Sequence, residues 1–450
     1  MKKGNMEKQS IGRDLARFIY NLSFSELPNE VVDRAKNLIL DALSTAIAGR
    51  DQPYPQIGLG LIKDNKGNAT IFTYDLRVPA VDAAFVNAIM VNSIGQDDML
   101  YLFHAGQVVL PTAIAIAEQE SSSGAEVITA LVAGYDIMAR IYLGAPSIIP
   151  RFRGVPVFGP FGAAAVTGKL LKLNEDQLTN AIGYAANFSS GLCECWEAGT
   201  MEAKFHCGVA SRNGIIAATL AKGGATAAEN SLEGKSGFYQ AFAGTTGGLD
   251  AATSNLGKRF FIMDTTYKPY PVCGSNQVPV ALAESLVKQH NIKGKDIGEI
   301  AEIVPDWVAS YPGLNYAGPF TTRFQATMSV QFCAAATFLG KPVALISFYD
   351  NNYNDPEVAE LAKKVKVIGE KRDTTRIEVT LQNGRQYSIE GAAGELVPSE
   401  ILVPTTDRIK AKFGNLTSDF LGKEKADKII DIVLNLDKID NIGEFTQELE

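Results

Sequence analysis

Histidine is the scarcest of the chemically useful residues in this 450-residue chain, with only His104, His206 and His290. Three histidines leave no room for a multi-histidine metal site. Acid–base work must then rest on lysine, aspartate, tyrosine or one of these three. Cysteine is nearly as sparse. Cys193, Cys195, Cys207, Cys273 and Cys333 are odd in number and widely spread, which points to a reducing, cytoplasmic setting rather than a disulfide frame. Cys193-Glu194-Cys195 has no second thiolate pair or nearby histidine to complete four zinc ligands, so no metal is expected. Positive charge is also in deficit. The 42 Lys and Arg against 50 Asp and Glu give a net −8, the opposite of the basic face that nucleic-acid binding needs. No uninterrupted apolar run approaches the roughly 18 residues of a membrane helix. The basic opening MKKGNMEKQS has no apolar core behind it, so neither a membrane partner nor a secretory signal is expected. There is no Gly-x-x-x-x-Gly-Lys loop, His-Glu-x-x-His, Cys-x-x-Cys or Gly-x-Ser-x-Gly.

What is present is material for a large core. Hydrophobic residues make up 46% of the chain, enough for two domains or for one with an insertion. Val31, Ala35, Leu38, Ala42 and Ala46 recur at steps of three or four and predict a helix over Glu30–Gly49. Similar Ala-rich patterns predict helices over Pro79–Ile94, Pro111–Glu120, Gly124–Ile141, Gly162–Leu171, Leu178–Phe188 and Val209–Lys222, packed closely in a buried bundle. Past about Thr265 the texture changes. Ile297–Val304 reads as a strand, and Arg376–Leu381 and Arg385–Ile389 flank an Asn-Gly whose residues tolerate positive φ, a hairpin signal. Helical stretches lie around Gln277–His290 and Phe324–Leu339, and helices return at Thr405–Phe413 and Lys423–Leu436. The expected architecture is mostly α. A large all-helical domain is formed by both chain ends (1–265 plus 396–450), with a smaller α+β domain, 266–395, inserted.

Asp97 and Asp98 follow an apolar helix, six residues before His104 in a loop flanked by Gly95 and Gly106. Paired acids at a helix end are ordinarily solvated; beside a histidine they orient it or bind substrate. His104 has the intrinsic pKa range for proton transfer. Lys204 and His206 sit just ahead of a predicted helix, where anions bind. His290 ends a charged helix as a solvent-facing cation. The Lys268–Gln277 loop (KPYPVCGSNQ) is stiffened by two prolines and opens the second domain, which places Lys268, Cys273 and Asn276 at the interdomain cleft. Arg151 and Arg153 precede a helix entry, a natural place for a carboxylate fork.

These blocks resemble the MmgE/PrpD family, which includes 2-methylcitrate dehydratase, cis-aconitate decarboxylase and iminodisuccinate epimerase. The resemblance is carried by VVDRAKNLILDALSTAIAG, NAIMVNSIGQDD, GYDIMARI, PFGAAAVTGKLLKL, SLEGKSGFYQAFAG, KPYPVCGSNQ and FQATMSVQFCAAATFLG, in order over nearly the whole chain. It implies a helical domain with an inserted α+β lid, a cleft between them, a homodimer and cofactor-free chemistry beside carboxylates. Carried over by position, it implies catalytic roles for His104, Lys268, Asp97 and Asp98. Arg153, Lys204, His206, Cys273 and Asn276 are implied on the substrate. Several family positions are exchanged: Asn92, Gly95, Met99, Arg153 and Ala203 stand where the family has His, Asp, Thr, His and Lys, and the lid histidine has become Cys273 or one of Ser275 to Gln277.

The function implied is a lyase that abstracts a proton next to a carboxylate on a small di- or tricarboxylate. The alternatives are an isomerase or epimerase on the same substrate class, and a non-catalytic member that binds a metabolite.

Overall fold

A computed structural model describes residues 9–392 and 402–450. Helix formation follows the expected periodicity, and the bounds differ where proline or small residues misled. The first long helix is Asn29–Gly49, with Ala80–Ser93 next. Two helices begin earlier than expected, at Gly106 and Gly154, with Pro111 and Pro160 inside them. A proline inside a helix removes a single ladder donor, and surrounding packing tolerates that loss. The helix expected from Val209 starts at Glu202. Its buried stripe of Ala203, Cys207, Ala210, Gly214 and Ala217 keeps helical spacing from the outset, which puts Lys204 and His206 inside the first two turns rather than ahead of them.

The 21-residue helix Gly124–Gly144 has the length and hydropathy of a membrane span, yet 94% of its apolar window is buried by other helices. Its Asp136 and Arg140 form a wholly buried ion pair. Arg140 also donates to the Ser254 carbonyl (2.7 Å), and Asp136 accepts from the Phe261 amide (2.9 Å). The helical part is not strictly all-helical. β1 (Ala69–Thr70) and β2 (Arg77–Val78) form a short antiparallel ladder, held because Glu118 accepts from the Thr70 amide and hydroxyl at 2.8 and 2.6 Å.

Beyond residue 270, β3 (Ile297–Pro305), β4 (Val365–Glu370), β5 (Thr374–Leu381) and β6 (Gln386–Ala392) make one mixed sheet in the order β4-β3-β5-β6. Only the β3–β4 pair is parallel. The Asn383-Gly384 hairpin is real, but only Gly384 takes positive φ (82°). Its amide closes on the Leu381 carbonyl at 2.9 Å, and Leu381 pairs with Arg385 across the three-residue loop Gln382-Asn383-Gly384. The helix expected over Phe324–Leu339 is broken into Arg323–Met328 and Val330–Phe338. Ser329 caps the second, accepting from the Phe332 amide and donating to the Tyr316 carbonyl.

Buried apolar side chains separate along these lines. The large core draws on residues 15–267 and 409–449, and the smaller ones on 270–402. The returning helix Thr406–Leu421 drives Lys412 into the large core, where its ammonium meets Asp41 Oδ1 at 2.6 Å and the Gln96 carbonyl. The expected end of the insertion, at 395, lies outside the described residues.

Candidate active site

The loop from Ile94 to Ala105 joins two core helices and is held at several points. Gly95 turns the chain at φ 70°, a conformation that costs a side-chain-bearing residue free energy. Met99 exchanges both backbone hydrogen bonds with Thr266 at 2.8 Å, which places Lys268 two residues further on. Gln96 donates to the Pro269 carbonyl at 2.8 Å, and Lys268 Nζ donates to the Gly95 carbonyl at 2.9 Å. The two loops that carry the candidate chemistry are therefore one hydrogen-bonded unit.

The paired acids divide. Both are buried, at 1% exposure each, so neither is the solvated helix-end acid that such pairs usually are. Asp98 faces the core. Its carboxyl accepts from the Gly106 amide (3.0 Å) and the Tyr135 hydroxyl (2.9 Å). Burial, with Asp41 and Asp97 close by, pushes it well above the ordinary carboxylate range. Gly106 is required here because a Cβ would lie 2.2 Å from Asp98 Oδ1. Asp97 faces the cavity, accepts from Gln107 Nε2 at 2.9 Å and lies 3.2 Å from His104 Nδ1. Burial works against its charge, but the hydrogen bond from His104 and the charges of Lys268 and Lys204 outweigh burial and hold it below the ordinary range, ionised. Two adjacent carboxyls with pKa values pushed in opposite directions are the pattern of divided roles.

His104 Nδ1 lies 2.7 Å from the Asp98 carbonyl oxygen. A carbonyl only accepts, so Nδ1 carries the proton and Nε2 presents its lone pair. Burial lowers the imidazole pKa against the pull of Asp97, which keeps it neutral. The side chain is still 25% exposed, and it lines the cavity.

Around it stand cations. Lys204 donates to the Asn92 carbonyl at 2.8 Å. Burial first, then Arg323, Arg153 and Lys268 against Asp97, lowers its ammonium to about 7. Arg153, 7% exposed, donates to the Ala203 carbonyl at 2.5 Å and lies over the Trp196 ring. Arg323 is partly neutralised by Asp350 (2.6 Å) and also bonds Gln52 and the Ser93 carbonyl. The cleft holds a cavity of about 110 Å³.

The structure thus brings together His104, Asp97, Lys204, Lys268, Arg153 and Cys273 on one cavity. It leaves Asp98, His206 and Asn276 off the lining. His206, lowered to about 4 by burial and then Arg153, projects from the same helix as Lys204 but outside the cleft. Asn276 is wholly buried and donates to the Met328 carbonyl at 2.9 Å, so it braces the Cys273 loop rather than meeting a ligand. Gln277 does the same, bonding the Tyr270 and Val272 carbonyls at 2.9 and 3.0 Å. Arg151 is exposed and His290 ends its helix stacked on Tyr387. Sequence reasoning missed Arg323 and Tyr54, which no local pattern distinguishes from other surface-type residues. Among the described residues, no three His, Cys, Asp or Glu side chains gather as metal ligands would.

Two family models match the chain. Residues 13–247 match the MmgE/PrpD N-terminal domain and residues 270–438 the MmgE/PrpD C-terminal domain. The chain is 26% identical to cis-aconitate decarboxylase of Aspergillus terreus, over 97% of this chain and 95% of that protein. It is 25% identical to the Homo sapiens cis-aconitate decarboxylase (99% and 95%) and 24% identical to that of Mus musculus (99% and 94%).

Proposed function

The chain belongs to the MmgE/PrpD family, and from that premise we propose a lyase of the dehydratase or decarboxylase type, acting on a small di- or tricarboxylate under the inserted unit as a lid. One observation carries the reading. A neutral histidine, its Nδ1 proton held by the Asp98 carbonyl, lines a cavity together with Lys204, Lys268, Arg153 and Arg323. Substrate carboxylates pair with the cations, which also steady the negative charge that develops on carbon or on an enolate oxygen. In a dehydration, Nε2 takes the C–H proton beside a carboxylate. The electron pair forms the double bond, and the hydroxyl leaves with a proton as water. In a decarboxylation, the electron pair of the broken C–C bond is left on carbon as carbon dioxide departs, and a proton is delivered to that carbon. Lys204, poised near neutrality, suits that delivery, and Asp97 keeps His104 in the required tautomer and orientation. The proposal calls on no cofactor.

The names of the relatives make cis-aconitate the first substrate to test. The protein is incubated in deuterated water with cis-aconitate, citrate and 2-methylcitrate and followed by NMR. Loss of carbon dioxide or water, with deuterium entering the carbon that is protonated, is the expected result. Exchange with inversion and no new product would make it an epimerase. Binding that survives His104→Gln and Lys268→Ala, with no turnover at all, would make it a non-catalytic relative.

A further inference from the structure

The chain has two tryptophans in 450 residues, and both line this cleft. They reach it from different directions, Trp196 on the short helix Glu194–Ala198 and Trp307 on Asp306–Ser310. Trp196 stacks on Phe324 with ring centres 5.0 Å apart and planes within 10°. Trp307 meets Tyr311 edge to face, 6.3 Å apart at 84°. Met328 joins them, with Val304, Val308 and Leu314 packed behind as a separate apolar cluster. Neither indole is fully buried, though both ring Nε1 atoms are buried with no hydrogen-bond partner among the described residues. Cationic groups stand beside the indoles on the same lining, with Arg153 5.2 Å from the Trp196 ring and Arg323 next in sequence to Phe324.

An unsubstituted acid whose carboxylates meet the cations leaves the indole faces against water, and a carboxylate set on those faces would lose its own hydration. An apolar group placed there removes both its own surface and the aromatic surface from water, and aromatic faces carry a large area for such contact. We infer that the substrate is a di- or tricarboxylate bearing an extended alkyl or aryl substituent. Its carboxylates meet Arg153, Lys204 and Lys268, and the substituent lies along Trp196–Phe324 and Trp307–Tyr311. The carboxylate half of this inference rests on the lyase reading above.

The test is calorimetric titration of the full chain with succinate, 2-methylsuccinate, 2-hexylsuccinate and 2-benzylsuccinate. Affinity is expected to rise along the series by roughly 10-fold or more, the scale on which added methylenes are told apart in an apolar pocket. Trp307→Ala and Phe324→Ala should each flatten the series. The ratio of two affinities is read within one variant preparation, so a loss of folded protein cancels. Equal or falling affinity for the substituted acids overturns the inference and leaves the lyase reading standing. No binding by any member, together with no turnover of the unsubstituted acids, removes both.

Discussion

Lys204 is the group whose charge should respond most to filling the cleft. With its ammonium lowered from 10.5 to about 7 by burial and by the cations around it, roughly a tenth of the free protein carries that charge at pH 8. A bound dicarboxylate supplies the missing counter-charge, and an opposite charge at contact range raises an ammonium by about 1–3 units. A rise of about 2 units puts the bound-state value near 9 and protonates roughly nine-tenths of the complex at pH 8, so binding takes up about 0.8 of a proton. Affinity should then weaken by up to roughly 10-fold per pH unit between pH 7 and 9. The assay is titration of tricarballylate at pH 8 in phosphate and in Tris, whose ionisation enthalpies differ. The buffer dependence of the heat reports the protons taken up, and Lys204→Met should abolish it. Zero uptake by the wild type, with a Kd flat from pH 7 to 9, would refute the reasoning. The free protein shows the opposite linkage. The unfolded chain holds this proton up to its ordinary value of 10.5 and the native state only to about 7, so native stability rises with pH across that window. Lys204→Met should therefore stabilise the free protein at pH 6, by ~1 kcal/mol once solvent screening of a part-exposed group is discounted, and less at pH 10.

His104→Gln should lower kcat by roughly 10²- to 10⁴-fold while tricarballylate affinity changes little; equal losses in both would assign the residue to binding rather than proton transfer. Lys412→Ala strands Asp41 in the core and frees the Gln96 carbonyl, an expected cost of about 3–5 kcal/mol in denaturant unfolding, and a loss below about 1 kcal/mol would contradict the buried pair. Gly106→Ala puts a methyl 2.2 Å from Asp98 Oδ1, which should cost ~1–3 kcal/mol in thermal unfolding and lower kcat too, because Asp98 supplies the carbonyl that anchors His104. Unchanged stability would mean that the loop shifts freely.

Local pattern carried far in the helical part. Periodic apolar steps located the Asn29–Gly49 and Ala80–Ser93 helices to within a residue, because burial of one helical face is written in spacing. It failed at the starts of the Gly106, Gly154 and Glu202 helices, where proline and polar residues look like boundaries but neighbouring helices hold the turn in place. His104, Asp97, Lys204, Lys268, Arg153 and Cys273 were all legible as candidates, since loop position and residue type are local facts. Their alternatives were just as legible, and Asp98, His206 and Asn276 looked as good.

What separated them was convergence in space. Residues 92–104, 153, 196, 204, 268–275 and 307–328 meet because the far end of the chain, through Lys412, and the Met99–Thr266 bridge pin the two loops together. Ionisation is settled the same way. Asp97 and Asp98 are chemically identical neighbours in sequence, and their pKa values move in opposite directions because of what each is buried against. Residue identity sets which groups can do chemistry, and helical spacing sets where they start. Which of them face one cavity, and in which protonation state, depends on desolvation and on charges brought from hundreds of residues away.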